Sequence, residues 1–148
     1  MTQLIDFRTS TNIALANEGF PLSTFPIGTP VLFGQVGLNV LSSDANGKIR
    51  VLIKGTAGVF IFPDSEFDPL VQLDVVRGTS ITDPLVSTTF VQYLAEIPGV
   101  QDITITAADF NVSPPQAGSL TYTIFATAVN VELGRPGPEN FNASAYMD

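Results

Sequence analysis

Alternation with a period of two, sustained from Val31 to the last residues, constrains this chain more than any other feature. VQLDVVRG (residues 71–78) sets Val71, Leu73 and Val75 against Gln72 and Asp74, and QDITITAAD (101–109) sets Ile103, Ile105 and Ala107 against Thr104 and Thr106. Successive side chains of a strand point to opposite faces, so such runs specify sheets with one buried face. VLFGQVGLNVL (31–41), IRVLIKGTAGVFIF (49–62), STTFVQYLAEI (87–97), SLTYTIFATAVNVEL (119–133) and the closing FNASAYMD (141–148) extend the pattern. Between them stand PDSEFDP, TDP, IPGV, NVSPPQAG, GRPGPEN and the turn SSDANGK, built from residues that stop strands and favour turns. About seven or eight strands at this spacing predict an all-β antiparallel sandwich of jelly-roll type over residues 31–148. Gly55 and Gly58 inside a strand predict a bulge or bend. Pro114-Pro115 marks a rigid turn suited to a cis bond. The helical signal is confined to a short turn around Asn12 to Asn17.

FPLSTFPIGTP, from Phe20 to Pro30, fits neither a helix nor a central strand, because its prolines remove backbone donors. Its apolar side chains still favour burial. The segment therefore reads as a strap, laid over its own domain as a first strand or docked into a neighbour. The reading taken is the neighbour: residues 1–30 form an extended N-terminal connector tail ahead of the domain. Its expected anchors are Phe7, Ile13, Leu15, Phe20, Leu22, Phe25 and Ile27. Extended, such a tail reaches on the order of 90 Å.

Composition supports assembly. Apolar residues make up 45% of the 148 and charged ones only 14%, little polar surface for a dispersed monomer. In SLTYTIFATAVNVEL one parity carries Leu120, Tyr122, Ile124, Ala126 and Ala128, while the other begins with Thr121 and Thr123 and then carries Phe125, Val129, Val131 and Leu133. A register switch within the strand explains this, or burial between subunits does; the second is the expectation, with Phe125, Val129 and Val131 at the interface.

Other classes fall away. The net charge is −8 and Lys and Arg form no cluster, which disfavours nucleic acid and anionic lipid. No apolar run approaches the roughly 18 residues of a membrane helix. MTQLIDFRTSTN lacks the basic start and apolar core of a secretory leader, so delivery without a signal peptide is expected. Cysteine and histidine are both absent, which removes thiolate metal sites, disulfides and the commonest general base. No Ser or Thr has a plausible activating base beside it, so the chain is expected not to be an enzyme and to need no cofactor. One metal candidate remains: Asp64, Glu66 and Asp68 in PDSEFDP, carboxylates of the kind that hold calcium. The alternative is a solvated acidic loop.

VQLDVVRG followed by SPPQAGSLTYTIFATAV resembles spore-surface proteins of Bacillus-type bacteria, in which an R-G turn and a PP-x-x-G-x-x-x-Y-T entry to a long strand recur. The closing NFNASAYMD is similar to the last strand of tumour-necrosis-factor-like (TNF-like) jelly rolls. The resemblance spans roughly Val31 to Asp148. It implies a homotrimer in the exosporium or in the F-type endospore appendages, at the spore surface, with an N-terminal peptide joining one trimer to the next. Its partners would be further copies of itself and other spore-surface proteins. No collagen-like Gly-x-y stalk is present, which favours a fibre-shaft subunit. A trimeric receptor- or glycan-binding head of a phage or surface fibre is the competing reading.

Overall fold

The computed structural model describes residues 2–13, 23–41 and 48–147. Ten strands follow one another: β1 (Gln3–Ile13), β2 (Ser23–Phe25), β3 (Val31–Asn39), β4 (Ile49–Ile61), β5 (Leu70–Arg77), β6 (Leu85–Gln92), β7 (Gly99–Val112), β8 (Ser119–Ala128), β9 (Leu133–Arg135) and β10 (Glu139–Met147). They form two antiparallel sheets, and the chain is all-β, with no helix among the described residues. Accordingly no helix there is long and apolar enough to cross a membrane.

β4 organises the six-stranded sheet. One of its edges pairs with β7 along its whole length. The other pairs with β10 over residues 49–57 and touches β9 at Phe60. β1 lies outside β10, and β2 outside β9. The second sheet has four strands in the order β3-β8-β5-β6. Alternation explains how the two stack. Val51, Ile53, Ile103, Ile105, Phe141 and Ala143 face inward from the large sheet, and Val36, Leu38, Leu73, Val75, Tyr122 and Ile124 from the small one. Each fully buried side chain of this size contributes about 1.5–3 kcal/mol.

Several expectations need correction. The predicted boundary at residue 30 does not hold, because Gln3–Ile13 and Ser23–Phe25 are strands of the large sheet and not a separate tail. Backbone pairing to β10 satisfies the donors and acceptors along one side of this extended segment. Asn12 lies within β1, so no helical turn begins there; residues 14–17 and the turn at 42–47 lie outside the described residues. The run 119–133 is not one strand. β8 ends at Ala128, where Val129 N–H bonds to Leu70 O and the Asn130 side chain bridges Leu70 N–H and Asp68 O. The cis peptide lies at Gly137-Pro138, not at Pro114-Pro115.

Gly55 and Gly58 do not bulge either; β4 passes both in unbroken register with β7. They make room instead. A Cβ on Gly55 would lie 2.6 Å from Ile124 Cδ1, and one on Gly58 would lie 2.3 Å from the Gly137 carbonyl oxygen. Backbone cannot move aside as a side-chain tip can. We therefore expect Gly58→Ala to cost about 2 kcal/mol and to lower the melting temperature by roughly 4–8 °C. Gly37→Ala, which meets nothing within 4 Å, should leave it nearly unchanged. Thermal denaturation of the two variants checks this.

Candidate functional site

Polar clasps hold the N-terminal strand at both ends. Near its start, Asp6 Oδ2 accepts from Asn39 N–H of β3 at 2.7 Å and from Arg8 Nε at 3.0 Å. Burial works against ionisation of Asp6, but the Asn39 amide and the Arg8 guanidinium outweigh it and hold its carboxyl below the usual range. Near the end of β1, Asn12 Nδ2 donates to Glu139 Oε2 at 2.6 Å. Glu139, 1% exposed, is also gripped by Arg135, whose Nη2 bonds Leu32 O at 2.5 Å and whose guanidinium lies 4.6 Å from the Phe33 ring centre.

Between these clasps β1 is held mainly by backbone. Asp6, Arg8 and Ser10 share the core-facing parity with their partners Ala145, Ala143 and Phe141. Leu4 and Phe7 point outward and are about half exposed. Among the described apolar side chains of β1 only Ile5 packs against the core.

A second polar cluster ties the sheets together. Arg77 of β5 donates to both carboxylate oxygens of Asp109 on β7, at 2.7 and 2.9 Å, and Tyr122 Oη of β8 donates to Asp109 Oδ2 at 2.9 Å. Asp109 raises the Arg77 guanidinium further, while burial and then the Asp109 charge push the Tyr122 phenol well above its ordinary value. Burial and Asp102 push Tyr93 up to about 12. None of Arg77, Asp109, Tyr122, Asn12, Arg135 or Glu139 was anticipated. A signal existed for the first two: Arg77 continues the inward parity of Val71, Leu73 and Val75, and Asp109 that of Ile103, Ile105 and Ala107. Charges on a core parity at strand ends must find each other.

The anticipated interface residues are dispersed. Phe7 is exposed on the outer face of the large sheet. Ile13 pairs with Glu139 and Phe25 with Leu133, while Leu15, Phe20 and Leu22 lie outside the described residues. Ile27 bridges Ala128 and is half exposed. Phe125 is buried within its own chain, flanked by Leu32 and Asp74. Val129 is partly exposed beyond β8, and Val131 packs against the core.

The expected metal site does not assemble. Among the described residues no three carboxylates converge as ligands. Asp68 Oδ1 instead accepts from Ala95 N–H at 2.8 Å. Asp64 and Glu66 line an open cleft of about 360 Å³ with Ile27, Phe62, Phe67, Val131 and Glu132.

No protein-family model matches this chain, and no curated protein does. Among solved structures it is similar to arabinose-bound MgGH51 a-L-arabinofuranosidase, at 12% identity and a TM-score of 0.34. The match covers 99% of this chain but 23% of that one.

Removing the shared carboxylate should hurt most. Asp109→Ala leaves the half-buried Arg77 and the buried Tyr122 hydroxyl without their shared acceptor and is expected to cost about 2–3 kcal/mol, whereas Tyr122→Phe leaves both Arg77 bonds and should cost about 1 kcal/mol. A phenol with a raised folded-state pKa contributes stability below its unfolded value of 10 and loses it as pH climbs. Stability should thus fall between pH 10 and 12, and less steeply in Tyr122→Phe. Urea denaturation across pH measures both effects.

Proposed function

We propose that this chain is a structural protomer, a TNF-like jelly roll that trimerises and polymerises head-to-tail into a spore-surface fibre through its N-terminal segment. The observation that carries the reading is β1. It is an eleven-residue strand seated on β10 by backbone bonds and two polar clasps, and of its described apolar side chains only Ile5 packs against the core. The same bonds form whichever copy supplies the strand, so exchange between neighbours changes few contacts. Residues 14–22 join β1 to β2 and, extended, reach at most about 30 Å, enough to carry β1 onto an abutting subunit. An exchange of this kind is heterologous and propagates when it does not close.

For the trimer contact, Ile27 and Phe67 give better support than Phe125. Both are exposed and border the same cleft as Val131, whereas Phe125 already packs within its own chain.

The cysteine-free sequence allows a direct test. Thr9 and Asn142 are directly opposed on β1 and β10, so Thr9→Cys with Asn142→Cys in one full-length chain reports which copy supplies the strand. Exchange predicts a covalent ladder on non-reducing denaturing gels after oxidation. A monomer band alone, at concentrations where the protein assembles, would overturn it.

One observation favours a glycan-binding head as the second reading. The outer face of the large sheet sets Thr11, Asn140, Thr56 and Thr104 side by side across four strands, with Thr9, Asn142, Lys54 and Thr106 in the next row. Neighbouring strands lie about 4.8 Å apart, so each row offers closely spaced hydroxyls and amides to a neutral hydroxylated polymer. Here the expected result is specific glycan-array binding by chains that never elongate, lost in Thr56→Val with Thr106→Val.

A further inference from the structure

Open sheets end in edges, and each edge presents unpaired backbone groups that natural proteins blunt with charge, proline, bulges or cover. Most edges of this molecule follow the rule. β1 carries Asp6 and Arg8 and two register shifts. β7 carries Asp102 and Asp109, with a shift beside Asn111, whose φ is 57°. β2 has only three residues. β3 is roofed where Asp6 takes the Asn39 N–H and Arg135 takes the Leu32 carbonyl.

β6 does the least of this: its one irregularity is a register shift at its start, where Val86 stands between the residues paired with Val75 and Val76. LVSTTFVQ contains no charge, proline or glycine, pairs among the described residues with β5 alone, and from Ser87 to Gln92 runs in unbroken register. Leu85 is 61% and Phe90 58% exposed. Even Ser87, Thr89 and Val91, which oppose the fully buried core residues Val75, Leu73 and Val71, are only half-buried.

We propose that β6 is the seat of a second copy of this chain: two β6 strands pair antiparallel about a two-fold axis and join the small sheets into one of eight strands. Charge selects this occupant. The chain carries −8, so two copies repel wherever their carboxylates meet, and in a two-fold pair any charge near the axis faces its own like. An uncharged strand is what self-pairing requires, whereas a cationic partner would gain nothing from β6. The pairing satisfies the edge amides and carbonyls, puts Leu85 and Phe90 of both copies on one outer face, and covers the half-buried inner residues. Being isologous it closes at two. It thus ties protomers or neighbouring fibres sideways, and it does not rest on exchange of β1.

The test uses full-length protein. Sedimentation velocity over a concentration series should show association through a dimer. Thr89→Cys, mid-strand in a cysteine-free chain, should crosslink on oxidation into covalent dimers and nothing larger. Phe90→Lys should weaken association at least tenfold with unchanged circular dichroism, while Phe7→Lys on the other sheet should not. Three outcomes would overturn the proposal: monomers at every concentration, wild-type association by Phe90→Lys, or Thr89→Cys chains that crosslink to Thr9→Cys chains but not to one another.

Discussion

The seat of the N-terminal strand depends on one buried charge. Glu139 is 1% exposed, and a carboxylate at that depth is strongly destabilising unless paired and hydrogen-bonded. Arg135 supplies the pairing from four residues upstream, and the rest of its planar fork is occupied by the Leu32 carbonyl and the Phe33 ring. Asn12 adds a further donor. Elements from β1, β3, β9 and β10 are thereby fixed around a single carboxylate. β1 arrives at a site whose electrostatics are already nearly complete. This explains how a strand whose one described apolar contact with the core is Ile5 holds a defined register, and why Asn12 from another copy would suit the site equally well.

Much of the fold was legible in the sequence. Val71–Val75 and Ile103–Ala107 alternate cleanly, and both became strands with those residues inward. Failures came where a position's reason was remote in sequence. Gly55 and Gly58 looked like bends because nothing local says that Ile124 and Gly137 pass close by. β1 escaped notice because Asp6, Arg8 and Ser10 occupy its inward parity and its one described core contact, Ile5, sits at a register shift, so the alternation that marks a core strand is missing. The end of β8 was hidden because Val129, Val131 and Leu133 continue the apolar run, while the turn is made by the Asn130 side chain reaching back to residues 68 and 70.

The candidate site was less legible than the fold. Apolar composition carries no address. Phe125, an expected interface residue, is enclosed by its own sheet, while Phe67 and Phe90, neither of them an expected interface residue, are exposed. Exposure at an edge depends on strand order, and strand order is a long-range property. The lack of charge in LVSTTFVQ is visible in the sequence, and it acquires meaning once β6 is seen to have, among the described residues, a neighbour on one side alone.

The antiparallel seam of β1 and β10 places Gln3 opposite Met147, with Ile13 at the far end opposite Glu139. Its hydrogen bonds run perpendicular to the strands. Pulling Gln3 away from Met147 therefore peels the seam open one bond after another, like a zip. A tug that enters through Ile13 and runs along the strand instead strains every bond of the seam together. A filament tensioned through the link that follows β1 would be strained in the second, far tougher direction.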